Sequence, residues 1–485
     1  MDGELTPAAD AGTGASASAS AVASASASAS ASASVSAGLP EPQRSVAIAA
    51  VLAAMVLAVL DAAITNVALP TIAQALQVTP GRSVWIVTAY QAALVMGLLP
   101  CAALGESRGY RLVFTLGVAL FTAASVLCAL SPSLPWLVAA RFAQGLGAAA
   151  IMALGIALLR QVVPQCQLGA AIAWNALAVA LASAAGPTLG AAILSGAGWP
   201  WLFAVNLPLG AMVLCAARAL PDQPGSARRL DRLSVALNVG ALASLVVGAE
   251  VLVTEPALAA ALLAAAAVGL AVLVRREMRS EVPLIPLDLL RAASFRSSVL
   301  ASVCCFAGIT MALLALPFYL QHSLGQDTLT TGLYLTPWPL TVAVVAPLAG
   351  RLAGRVPTAW LCATGGACLA LGLAATALWP LRGPPLPLLP LLPLTMLCGL
   401  GFGLFQVPNN RNMLLSAPRE RSGAAGGMQA SARLAGQTAG GVVMSLLFSL
   451  VSAEAAPRLG LALGALLTLS AGVVSTLRAQ AKGLR

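Results

Sequence analysis

The lengths of its apolar runs constrain this chain more than anything else in it. Fourteen such runs lie near residues 46–69, 84–104, 112–131, 135–159, 168–194, 199–217, 233–253, 257–274, 297–320, 331–350, 357–379, 386–408, 424–451 and 459–477. About 20 apolar residues carry an α-helix across roughly 30 Å of hydrocarbon. Lipid offers no partner to an exposed peptide group, so each run is predicted to span as a helix. The composition leaves no room for a soluble domain of useful size: 59% of the 485 residues are hydrophobic, 9% are charged, and the mean hydropathy is +0.91. The expected fold class is an all-α integral membrane protein of about 14 transmembrane helices, surrounded by the lipid bilayer.

The formal charge of +10 comes from 26 basic and 16 acidic residues. The basic residues are scattered through short gaps, with no basic stripe and no interleaved aromatics, so nucleic acid is not expected as a partner. Topology accounts for them. With the N-terminus in the cytoplasm, twenty-one basic residues face the cytoplasm and three (Arg82, Arg382 and Arg458) face out. That satisfies the positive-inside rule and places both termini inside. The nine cysteines fall nearly all within apolar runs and lack ligand spacing, so they are read as packing residues, with no metal site. Residues 1–44 begin acidic and continue as an Ala/Ser repeat too poor in apolar surface to fold, giving an expected disordered cytoplasmic tail. The load of alanine and the scarcity of lysine suggest a GC-rich bacterial genome, and therefore the bacterial plasma (inner) membrane.

The chain repeats itself. Ala68-Leu69-Pro70 with Gln74 recurs as Ala315-Leu316-Pro317 with Gln321, at an offset of 247 residues. Ala102 to Gly105 recurs around Gly350 to Ala353 at 248, and Ala185-Gly186-Pro187-Thr188 recurs as Ala435-Gly436-Gln437-Thr438 at 250. Repeated halves are a common transporter architecture. The expected layout is a six-helix bundle over 45–220, two linking helices over 221–280 and a second six-helix bundle over 281–485. In this register Asp61 aligns with Gly308, so the charge belongs to one half only.

Few ionisable groups lie well inside the runs. Asp61 sits in the first, about eight residues from its outer end. Arg141 sits about five residues inside the fourth, so the two can share a depth. A carboxylate in hydrocarbon is expensive without a partner, and movement of an arginine relative to it would change its proton affinity. Asp61 and Arg141 are therefore the candidates for proton coupling, against the simpler alternative of a fixed structural pair. Thr65 and Gln144, each near one turn further on, add polar neighbours and are candidates for the substrate pathway. Arg433 in the thirteenth run and Glu250 at the end of the seventh stay uncertain, since snorkelling or surface exposure explains either. Gly186-Pro187-Thr188-Leu189-Gly190 supplies a bend and a tight helix seam. In the short loop after the second run, Glu106, Arg108, Gly109 and Arg111 are gating candidates, with Glu106 able to pair with arginines of a neighbouring element when the inner side closes.

Together these strings resemble the fourteen-span drug:proton antiporters of the major facilitator superfamily, from about Leu60 to Leu446. Leu60-Asp61 to Pro70 resembles the span 1 signature, and Trp85 to Tyr90 the opening of span 2, where Tyr90 and Gln91 join the pathway candidates. Arg141-Phe-Ala-Gln144-Gly145-Leu-Gly147 resembles the span 4 motif, Gly186 to Gly190 the antiporter motif, and Trp199 to Gly210 the start of span 6. Pro408 to Arg411 and Arg433 to Gln437 resemble late strings of the family. The resemblance implies the major facilitator fold and alternating access driven by protons, with Asp61 and Arg141 in the coupling. The chain departs from the pattern at Glu106, Ala102 and Tyr110 of the loop motif, and at Ala182 and Ala191, where glycines are usual.

The expected function is proton-coupled efflux of small amphipathic or cationic compounds, acting as a monomer with the proton gradient as energy source and no cofactor. An alternative on the same fold is a transporter of a specific metabolite, siderophore or lipid. An integral membrane enzyme would need a buried nucleophile, a metal constellation or paired carboxylates; the runs offer none, so no catalytic residues are assigned.

Overall fold

The computed structural model describes residues 39–222, 225, 231–252, 254–278, 287–379, 389–416 and 422–483. The expected tail over residues 1–38, the side chain of Glu250 and most of the Pro-rich stretch before residue 389 lie outside the described residues. Among the described residues the chain is helical throughout and contains no strand.

In chain order the helices are α1 (Gln43–Ala75), α2 (Pro80–Arg108), α3 (Tyr110–Ala129), α4 (Leu134–Val162), α5 (Gln165–Ala197), α6 (Trp201–Ala204) and α7 (Asn206–Ala216). They continue as α8 (Arg232–Glu250), α9 (Pro256–Glu277), α10 (Ala293–Phe318), α11 (Thr328–Leu335), α12 (Pro337–Leu352), α13 (Thr358–Ala377), α14 (Leu391–Leu415), α15 (Ser422–Leu450) and α16 (Ala455–Gly483). Among the described residues, twelve segments are long and apolar enough to cross a membrane, counting α6 with α7 and α11 with α12 as single segments. The two remaining runs, α8 and α15, also fold as helices. The apolar part of α8 covers only Leu233–Ala249, and α15 is diluted by Gln429, Arg433, Gln437 and many glycines.

Helix boundaries differ from the apolar runs where polar turns continue a helix. The first run ends at Leu69, but α1 continues through Pro70 to Ala75. Asp61 therefore lies mid-helix, about 21 Å below the end of α1 at 1.5 Å per residue, deeper than the sequence suggested. At its other end α1 already begins at Gln43, and the Leu39 amide donates to the Val162 carbonyl at 2.9 Å, so the last residues of the expected tail are ordered. Proline explains both internal breaks. Pro208 cannot donate to the Ala204 carbonyl, and the helix interrupts at Val205. Thr336, which precedes Pro337, interrupts the segment from Thr328 to Leu352.

Between apolar helices in lipid, close approach rather than hydrophobicity sets the packing, and small residues permit it. Gly186 and Gly190 of α5 seat on Ala63 and Ile64 of α1; Gly436 and Gly440 of α15 seat on Phe306 and Ala307 of α10. The repeat in sequence thus recurs as a repeated seam. At Gly308, the counterpart of Asp61, α10 meets α16 so closely that an added Cβ would lie 2.6 Å from the Gly464 carbonyl oxygen. One half carries charge at this level and the other carries a helix contact.

The two halves are joined by hydrogen bonds: Ser445 Oγ donates to the Gly81 carbonyl at 3.0 Å, Gln321 Nε2 donates to the Val67 carbonyl at 3.4 Å, and the Thr188 and Thr336 hydroxyls share a hydrogen bond. Gly332 fits against Ala191 and the Pro187 carbonyl in the same seam.

Candidate functional site

The span 4 string is built around its glycines. Gly145 leaves room for the Tyr90 carbonyl of α2, and a Cβ on Gly147 would come within 2.6 Å of the Phe121 amide of α3. These two contacts draw α4 against both neighbours. The same helix then carries Arg141 and Gln144, one turn apart, into the space between α1, α2 and α3.

There Arg141 Nη1 lies 2.5 Å from Asp61 Oδ2, with the two side chains 0% and 1% exposed. Arg141 Nη1 also donates to Gln144 Oε1 at 2.6 Å, and Nε donates to the Ile86 carbonyl at 3.1 Å. Its guanidinium stacks over the Tyr90 ring, 4.3 Å from the centroid, and sits 5.6 Å from that of Phe203. Asp61 Oδ1 accepts from Gln144 Nε2 at 2.9 Å and from Asn206 Nδ2 at 2.7 Å. Ser125 Oγ accepts from Gln144 at 2.8 Å and donates to the Phe121 carbonyl at 2.8 Å. The carboxylate thus has three donors from two helices, Arg141 and Gln144 of α4 and Asn206 of α7.

The network is not saturated. Arg141 Nη2 and Asn206 Oδ1 are buried and lack a partner. Such groups are costly in a low-dielectric interior and mark places where water or another ligand can bond.

The structure brings Asp61, Arg141, Gln144 and Tyr90 together. Tyr90 contributes its ring face to Arg141, while its hydroxyl donates to the Ala58 carbonyl at 3.1 Å. The Thr65 hydroxyl donates to the backbone carbonyl of Asp61 at 2.8 Å and is buried, so it braces α1 instead of lining an open path. Gln91 Oε1 is buried without a partner. Arg433 lies apart from this cluster; its Nε is buried and unpartnered. Gly186, Pro187 and Gly190 fall on the seams described above. In the loop motif, Gly109 has φ +101°, a conformation that suits glycine, and turns α2 into α3. Arg111 pairs with Asp222 beyond α7 at 3.5 Å. Glu106 and Arg108 end α2 in the same turn.

Asn206 and Ser125 complete the site, yet neither was singled out from sequence. Asn206 was visible as a lone amide in Phe-Ala-Val-Asn-Leu-Pro, at a helix start created by Pro208. Ser125 had no signal, since a serine bonding its own helix looks the same in sequence.

Comparison with known proteins places this geometry in context. The family model described as Major Facilitator Superfamily matches residues 51–441 and 298–482. The chain is 44% identical over 447 residues to the uncharacterized transporter YebQ of Escherichia coli (strain K12), covering 91% of this chain and 97% of that protein. It is 35% identical over 410 residues to the multidrug resistance protein Stp of Mycobacterium tuberculosis (strain ATCC 25618 / H37Rv), covering 82% and 75%. It is 28% identical over 389 residues to the riboflavin transporter RibZ of Clostridioides difficile (strain 630), covering 77% and 81%.

Proposed function

Because this chain belongs to the Major Facilitator Superfamily, whose members are transporters and not enzymes, we propose that it exports small amphipathic or cationic compounds in exchange for protons by alternating access. The observation that carries this reading is the Asp61 site: a buried carboxylate of α1 shared among Arg141 and Gln144 of α4 and Asn206 of α7. Protonation of Asp61 discharges its ion pair and frees Arg141 to change partners. Any motion that separates α4 from α1 has the reverse linkage, because it removes the charge that favours the carboxylate. The helices are thereby a proton-sensitive joint.

In this reading the chain crosses the bacterial inner membrane fourteen times, α8 and α15 included, with both termini in the cytoplasm. The halves over 45–220 and 281–485 move as the two bundles, 221–280 supplies the linking pair, and a monomer suffices. The face joined through Gly81, Val67, Thr188 and Gly332 is then the outer gate, and Gly186 to Gly190 is the seam on which it turns. Gln91 borders the substrate pathway, and Glu106, Arg108, Gly109 and Arg111 belong to the cytoplasmic gate. Drug export is favoured by the likeness to Stp, named as a multidrug resistance protein. The likeness to RibZ, named as a riboflavin transporter, supports the second reading of a specific metabolite.

The test is uptake by inverted vesicles driven by a proton gradient, with a panel holding lipophilic cations, neutral drugs and riboflavin. Wild type is expected to accumulate members of the first two classes and Asp61→Asn none of them. Coupled transport that survives Asp61→Asn refutes the role of Asp61; accumulation of riboflavin alone selects the second reading.

A further inference from the structure

We propose that the groove between α2, α4 and the linking helix α8 is a binding site for an anionic phospholipid, one acyl chain lying in the groove and the phosphate at Arg82. The groove encloses about 400 Å³, within the range of small-molecule sites. Trp85, Ala92 and Met96 of α2, Val138 and Phe142 of α4, and Val246 of α8 form an apolar wall. From Arg82 to Met96 the wall follows α2 for about 21 Å at 1.5 Å per residue, the length of one extended acyl chain and over half of the hydrocarbon thickness.

Charge decides which lipid. Arg82 lines the mouth of the groove and is exposed. Arg458, which the expected topology also places outside, is already engaged, donating to the Ala377 carbonyl at 2.8 Å and the Trp379 carbonyl at 3.4 Å. Among the described residues no carboxylate lines the groove beside Arg82. A cation at the water–lipid boundary above an apolar slot complements a phosphodiester above an acyl chain, and a zwitterionic head would add a repelling ammonium.

Occupancy would be felt at Asp61. The groove touches the backs of the helices that hold the ion pair: Ala89 adjoins Tyr90, and Ala139 and Phe142 flank Arg141. A chain seated there presses α2 and α4 together from the lipid side.

The experiment uses the full chain in bilayers containing either phosphatidylglycerol or phosphatidylcholine with brominated acyl chains. The readout is quenching of Trp85 fluorescence, obtained as the difference between wild type and Trp85→Phe. At equal mole fraction, brominated phosphatidylglycerol is expected to associate about fivefold more strongly, the effect of one basic residue at a membrane surface. Arg82→Lys keeps the preference and Arg82→Gln abolishes it. Because Arg82 is exposed at a helix end, neither change threatens folding. Equal quenching by the two lipids in wild type means that a neutral chain or a transported compound fills the groove, and overturns the proposal. So does a preference that persists in Arg82→Gln.

Discussion

Replacing Asp61 by asparagine tests the central pair most directly, and the geometry sets the size of the effect. Both carboxylate oxygens face donors: Oδ2 meets Arg141, and Oδ1 meets Gln144 and Asn206. Whichever way the asparagine amide is turned, its NH₂ opposes at least one N–H donor. Arg141, 0% exposed, keeps its charge with no counter-ion. Breaking a buried pair from one side costs about 3–5 kcal/mol, and Arg141→Gln is expected to cost a similar amount by stranding the carboxylate. The double variant removes both charges and leaves neutral amides among neutral donors. Its loss should therefore be about 2–4 kcal/mol smaller than the sum of the single losses. Equilibrium unfolding in mixed micelles of a mild detergent and dodecyl sulfate, followed by far-UV circular dichroism, measures all four proteins. Additive losses, with a coupling below about 0.5 kcal/mol, would refute the claim that the two side chains stabilise one another.

Four further outcomes follow from the packing and the linker. Gly145→Ala pushes a methyl onto the Tyr90 carbonyl and should lose about 1–3 kcal/mol in the same unfolding assay. Gly332→Ala, whose Cβ would meet the Pro187 carbonyl oxygen at 2.7 Å, should lengthen spin-label distances between α5 and α11; unchanged distances would remove this seam from the proposed gate. Arg433→Met deletes a half-buried arginine whose Nε is buried without a partner, so stability should hold or rise by roughly 1 kcal/mol while transport falls if the charge serves substrate or gating. Asp231 caps α8 through the Leu233 and Ser234 amides and pairs with Arg276, which holds its carboxyl down at about 2. A depressed carboxylate stabilises above its unfolded value near 4 and loses the effect as pH falls toward 2. Hydrogen exchange in the first turn of α8 should accordingly be faster in Asp231→Ala than in wild type at neutral pH, and the difference should close on acidification through that window.

Asp61, Arg141 and Gln144 could be found in the sequence because charge and amide groups are rare within apolar runs. What sequence could not supply was depth. Hydropathy placed the end of the first helix at Leu69, but Pro70 continues the helix and the polar turn at Gln74 extends it, moving Asp61 toward the middle. Thr65 had the right spacing to share a face with Asp61, yet its hydroxyl is taken by the backbone carbonyl one turn back. Asn206 escaped notice because its place depends on a helix break at Val205, a consequence of the missing amide of Pro208 that acts through three dimensions. The gating strings were legible as glycine and proline patterns, while their partners, such as Gly332 opposite Pro187, come from the other half and leave no local trace.

The glycine contact at Gly308 bears on stoichiometry. A carboxylate at that level of α10 would have to lift α16 away, because the Gly464 carbonyl already occupies the space. The second half therefore cannot acquire a twin of Asp61 by a point substitution, and under the proposed mechanism Asp61 carries at most one proton per cycle. The exchange of one proton for a neutral compound moves one net charge, and for a monovalent cation it moves none. The same site would thus be driven by voltage and pH with the first cargo and by the pH gradient alone with the second, a difference that follows from holding the stoichiometry at one proton.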